Sequence, residues 1–139
     1  MAVVVFDADV LIAFLSSEDA HHGAAVGRLR AALEPGTRRA ICSVNYTEVL
    51  IGPLGARGPA GAETVDAMLV RFGIETMVVD MDLARRAAAV RARTGLKLPD
   101  AYALATAIHF EKRGHEDVRL ESFDKQVQKA YRDLYPHSP

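Results

Sequence analysis

The run Ala2-Val3-Val4-Val5-Phe6 is apolar at every position, without the polar alternation of a strand that shows one face to water. A β-branched run of this kind suits a strand buried on both faces, and such strands belong to parallel sheets covered by helices. The rest of the chain keeps to the same plan. Short runs at 40–44, 75–79 and 118–121 also read as strands, and between them apolar residues recur at helical spacing. Val65, Met68, Leu69 and Phe72 fall at i, i+3, i+4 and i+7, as do Ala101, Leu104, Ala105 and Ile108. Residues 21–33 and 81–94 are Ala-rich helix formers, and Gly95 reads as a C-terminal cap. Strands alternating with helices imply an α/β fold, here a three-layer α/β/α sandwich with a mostly parallel central sheet of four to five strands. The Gly- and Pro-rich segment 52–61 reads as a loop between two helices.

Four acids stand just past these apolar runs or on the first turns of the helices. Asp7 follows the first strand, and Glu48 lies in Ser43-Val44-Asn45-Tyr46-Thr47-Glu48-Val49-Leu50. Asp100 lies in Leu98-Pro99-Asp100-Ala101, and Asp124 ends Leu120-Glu121-Ser122-Phe123-Asp124. In α/β folds ligands gather at the carboxyl ends of strands, so these acids are expected to converge at one sheet edge. Like charges about 4 Å apart repel by roughly 4 kcal/mol at an effective dielectric near 20. A cluster of this kind needs protons or cations to hold it, and hard oxygen donors suit Mg²⁺ or Mn²⁺. Each acid also has a structural alternative. Asn45 and Glu48 fit a capping box, Asp100 suits a first turn, and Ser122 or Asp124 would cap the last helix. Asp9 either reaches the same metal as Asp7 or caps the helix starting near Val10 while Asp7 alone binds, and the second reading is favoured.

Composition narrows the class. At 139 residues the chain suits one domain over 1–135 with a tail at 136–139. Half the residues are hydrophobic and a quarter charged, which excludes a disordered or fibrous chain. A net charge of −1 carries no argument for nucleic acid, so any such role rests on a local basic patch. The single cysteine, Cys42, lies in an apolar run and suits a reducing cytoplasm, and no stretch is long enough to span a membrane.

The motifs together resemble the PIN domain, particularly that of VapC-type toxins. Val4-Val5-Phe6-Asp7-Ala8-Asp9-Val10-Leu11-Ile12-Ala13-Phe14-Leu15 is similar to the family's opening. The segment 43–50 resembles the helix bearing its second acid, and Leu98-Pro99-Asp100-Ala101-Tyr102-Ala103-Leu104-Ala105-Thr106-Ala107 the segment bearing its third. Ser122-Phe123-Asp124 is similar to the Thr-x-Asp before the last helix, with Ser for Thr. The resemblance implies a Mg²⁺- or Mn²⁺-dependent endoribonuclease, with Asp7, Glu48, Asp100 and Asp124 holding one or two ions. It implies that Ser122 orients a carboxylate or a bound water. It also implies a homodimer held inactive by a small antitoxin protein.

Binding of RNA calls for positive charge. Arg85, Arg86, Arg91, Arg93 and Lys97 lie between Asp82 and Asp100 with no acid among them, and Arg93 and Lys97 are the candidates to meet a phosphate. The bland alternative is a solvated face whose last-turn cations favour the helix dipole. His21, His22 and His109 read as surface or helix-packing residues. Two other functions stay in view. Asp7-Ala8-Asp9 resembles the opening of haloacid-dehalogenase-like phosphatases, with Asp7 as nucleophile, although Glu48 and Asp100 then have no role. A PIN-like domain that only binds RNA or a partner is the other.

Overall fold

A computed structural model of the chain describes residues 2–134, so the expected tail at 136–139 lies outside the described residues. Four strands form one parallel sheet: β1 (Ala2–Phe6), β2 (Thr37–Cys42), β3 (Ile74–Met77) and β4 (Asp117–Glu121). Their order is β3-β2-β1-β4, so the chain steps outward from β1 on one side and returns to pair β4 on the other. That reversal puts the crevice of an open α/β sheet at the carboxyl ends of β1 and β4.

Strand β1 supplies the middle of the core. Its side chains alternate between faces, as the pleat requires. Val4 and Phe6 pack with residues of α1 (Ala8–Leu15), α2 (His22–Ala32), α3 (Ser43–Arg57) and α4 (Pro59–Arg71). Val3 and Val5 pack with residues of α5 (Met81–Thr94), α6 (Leu98–Lys112) and α7 (Lys125–Leu134). Two apolar clusters on opposite sides of one sheet make the expected three-layer sandwich. Helix α6 is the innermost, with every residue from Ala103 to Phe110 buried.

The expected loop at 52–61 is instead helix. Helix α3 runs through Gly52, Pro53 and Gly55 to Arg57, and α4 begins at Pro59. Only Gly58 interrupts them, at φ 58° and ψ −140°, a conformation that favours glycine. Proline at the first position of α4 needs no N–H partner, which suits this abrupt restart. The cap expected at Gly95 is present, left-handed at φ 71° with its N–H bonded to the Arg91 carbonyl. The second strand begins earlier than its apolar run because Arg38 and Arg39 are spent on neighbours. Arg38 pairs with Glu75 of β3 at 2.6 Å, and Arg39 donates to the carbonyls of Phe72 (2.6 Å) and Ala32 (2.8 Å), satisfying two helix ends.

Candidate active site

Helix α1 starts one residue beyond β1, and this junction sets the geometry. Asp7 extends the sheet by donating its N–H to the Glu121 carbonyl at 2.9 Å, and its side chain caps α1 by accepting from Ala8 N–H at 2.8 Å. The capping role read for Asp9 therefore belongs to Asp7, because the helix begins at Ala8. Asp9, in the first turn, points across to the segment after β4, where its Oδ2 accepts from the Phe123 N–H at 2.9 Å.

Ser122 joins the two. Its hydroxyl lies 2.9 Å from Asp7 Oδ2 and 3.4 Å from Asp9 Oδ2, and it accepts from the Asp124 N–H at 3.1 Å. Asp124 in turn caps α7, with Oδ1 accepting from the N–H groups of Gln126 (2.8 Å) and Val127 (3.4 Å). The capping role read for it is thus present. Glu48 approaches from α3 and Asp100 from the first turn of α6. Asn45, wholly buried, ties those two helices together. Its Nδ2 donates to Glu48 Oε1 and to the Pro99 carbonyl, both at 3.0 Å. The capping-box reading of Asn45 fails because α3 begins at Ser43, placing Asn45 inside the first turn.

Electrostatics bind the set into one site. Burial, then the charges of Asp9 and Asp100, push the Asp7 carboxyl up to about 7, against the Ser122 and Ala8 donors. Asp9 is raised by burial and by Asp124, against the Phe123, Val10 and Ser122 donors. Asp100 is raised by burial and then by Asp124, Glu48 and Asp9, with Lys97 pulling the other way. Asp7, Asp9 and Asp100 thus each feel at least one other acid across the crevice. Asp9 Oδ1 is buried without a hydrogen-bond partner, as is Asn45 Oδ1. Among the described residues no three acids, histidines or cysteines already stand as a closed ligand set. Crowded carboxylates with an orphaned oxygen nevertheless have the donor chemistry for a hard divalent cation.

Of the two candidate substrate contacts, Lys97 caps the α6 side of the site and acts on Asp100. Arg93 stands in the last turn of α5. It lines a hollow with Gln126 and Lys129 of α7. Sequence reading missed Arg28, which pairs with Glu121 and lies 5.2 Å from the Phe123 ring centroid, on whose face His21 also stacks. Arg28 thus neutralises Glu121, the acid next to Ser122. His22 and His109 pack as expected, His22 against the Ala13 carbonyl and His109 buried on α6.

Removing the Ser122 hydroxyl leaves Asp7 Oδ2 and the Asp124 N–H unpaired in a site where Ser122 is 2% exposed. Ser122→Ala is expected to cost about 1–2 kcal/mol in urea denaturation. If these acids are catalytic, it should also lower activity about 10- to 100-fold.

A family model described as PIN domain matches residues 4–134. No curated protein sequence matches. Several solved structures share the fold. VapC20 of Mycobacterium tuberculosis, a sarcin-ricin loop cleaving toxin, superposes with a TM-score of 0.69 at 22% identity, over 91% of this chain and 94% of that one. A toxin–antitoxin complex from Klebsiella pneumoniae gives 0.65 at 26% identity, over 87% and 86%. VapBC-1 from nontypeable Haemophilus influenzae gives 0.68 at 12% identity, over 94% and 93%.

Proposed function

The chain belongs to the PIN domain family, and from that premise we propose that it is a divalent-metal-dependent endoribonuclease, the toxin of a toxin–antitoxin pair, in one domain over residues 1–135. The observation that carries the reading is the mutual crowding of Asp7, Asp9 and Asp100, all raised by burial and by neighbouring acids. Such repulsion opposes stability, and groups so perturbed in a cleft mark functional sites. Mg²⁺ or Mn²⁺ held by Asp7, Glu48, Asp100 and Asp124 would offset charge on the scissile phosphate and acidify the attacking water.

The chain's own groups set up that chemistry. Ser122 orients Asp7 through its hydroxyl, and Asn45 orients Glu48 through its amide. Asp9 holds the Phe123 amide and so fixes the loop that carries Ser122 and Asp124. Lys97, at the mouth of the site, meets a phosphate of the RNA, and Arg93 contacts flanking strand. Hydrolysis in this arrangement leaves a 5′-phosphate and a 3′-hydroxyl.

The reading includes a small antitoxin, a homodimer and a cytoplasmic setting. Support for the first comes from the toxin–antitoxin complexes among the structural neighbours. It also comes from an apolar hollow of about 680 Å³ between α1, α3 and α4. Ile12, Leu15, Val49, Ile51 and Pro53 line it and Glu48 borders it, so a segment seated there would lie against Glu48. Among the described residues no helix is long and apolar enough to cross a membrane.

The test is incubation of the purified protein with a panel of structured RNAs in Mg²⁺, Mn²⁺ or EDTA. Cutting in either metal, none in EDTA, and 5′-phosphate products are expected. Equal cutting in EDTA, or 2′,3′-cyclic ends, would refute the metal-dependent hydrolase.

A further inference from the structure

The C-terminal end of α6 meets the start of α5, far from Asp100. At 1.5 Å per residue, His109 lies about 14 Å along α6 from Asp100. There a hollow of about 470 Å³ is lined by Arg85 and Arg86 of α5 and by His109, Lys112 and Arg113 at the end of α6. Asp82 is the one acid in its lining. Among the described residues Arg85, Arg86 and Arg113 enter no ion pair. Arg86 Nε is shielded from solvent and has no hydrogen-bond partner. A donor withdrawn from water without an acceptor costs free energy, and here it sits beside converging guanidinium groups. His109 feels the same field, held below its usual range by burial and then by Arg113 and Arg86.

This hollow is not isolated. A second one shares Arg86, Ala89 and Lys112 with it and reaches Arg93, and a third continues from Arg93 to Gln126 and to Lys129, which pairs with Asp133. A line of cations thus runs along α5 from Arg85 to Arg93, in the direction of Lys97 and Asp100 at the start of α6. We propose that the hollow of Arg85, Arg86 and Arg113 is a secondary site for a backbone phosphate of the RNA, outside the site of cleavage, with Arg93 carrying the strand from it toward the acids. This rests on the ribonuclease reading above. Guanidinium groups bind carboxylate as well as phosphate, but the line of hollows from Arg86 to Arg93, four residues before Lys97, favours an extended strand over an acidic peptide. Base identity plays no part in such contacts, so the site raises affinity for RNA without regard to sequence.

The experiment is fluorescence-anisotropy titration of a short labelled single-stranded RNA in EDTA across a salt series. It compares wild type with the Arg86→Gln/Arg113→Gln double variant, folding of both checked by circular dichroism. The variant is expected to bind about 5- to 10-fold more weakly at 0.1 M salt. Its slope of log affinity on log salt should be shallower by about 0.7 for each phosphate that is no longer neutralised. Unchanged affinity and slope, no RNA binding by wild type, or an equal loss toward poly-glutamate would each overturn the proposal. Because binding is read without cleavage, the two ideas fail separately. A shallower slope in a protein that never cuts RNA upholds the site and sinks the nuclease. Cutting with an unchanged slope does the reverse.

Discussion

Asp7→Asn is expected to stabilise the metal-free protein at pH 8 by as much as about 4 kcal/mol while lowering RNA cleavage by roughly a thousandfold or more. The Asp7 carboxyl rises from 3.8 to about 7 on folding, so the folded state binds its proton more tightly than the unfolded state. Its contribution is therefore fully favourable below pH 3.8, declines as pH rises through the folded value near 7, and is lost above it. The wild type in EDTA should be more stable at pH 5 than at pH 8, and the variant should lose most of that difference. Asparagine keeps the local bonds, since its oxygen can accept from Ala8 N–H and its amide can donate to the Ser122 oxygen. What goes is the buried charge, and with it a ligand. Urea denaturation of both proteins at the two pH values checks the claim. An unchanged pH dependence in the variant would place the repulsion elsewhere.

Gly61→Ala carries the second large effect. A Cβ at Gly61 would lie 2.0 Å from the Pro53 carbonyl oxygen and 2.4 Å from its carbon, both backbone atoms that cannot swing aside. The better helix propensity of alanine offers about 1 kcal/mol, and the clash outweighs it, with a net loss of about 3 kcal/mol or more expected. Because the displaced helix carries Glu48, activity should fall with stability. Gly55→Ala is the control. Its Cβ meets no atom within 4 Å, so it should raise stability by about 0.5–1 kcal/mol. A Gly61→Ala protein that melts at or above the wild-type temperature would show that α3 and α4 can separate freely.

The same close approach explains why part of the fold was hidden in the sequence. Gly52, Pro53, Gly55, Gly58 and Gly61 all read locally as loop formers, and each is costly inside a helix. Four of the five are helical here because α3 and α4 pack closely, Pro53 sacrificing one N–H bond and Gly61 making room for its carbonyl. In contrast, β1, α5 with its Gly95 cap, and α6 were legible because buried apolar spacing and capping chemistry agree there. Asp7, Asp100 and Asp124 stand at element ends as their sequence positions suggest, while Glu48 lies in the second turn of α3. The division of labour between Asp7 and Asp9 was not legible. It turns on whether the helix starts at Ala8 or near Val10, a small shift of boundary that an Asp-x-Asp pattern leaves open. Asn45 and Arg28 act through partners 54 and 93 residues away, and the basic hollow needs Arg113 brought beside Arg86, so no local window contains them.

If these carboxylates carry a metal-dependent cut, Asp100→Asn should all but abolish it. Asp100 lies only partly buried on a first turn, so the variant should fold, a point circular dichroism settles. The measurement is the cleavage rate of one RNA that the wild type cuts in Mn²⁺, compared between wild type and folded Asp100→Asn, each with Mn²⁺ and with EDTA. Wild type should cut in Mn²⁺ alone, and the variant should be slower by roughly a thousandfold or more. A folded Asp100→Asn protein that cuts at the wild-type rate would move the chemistry away from this cluster of acids.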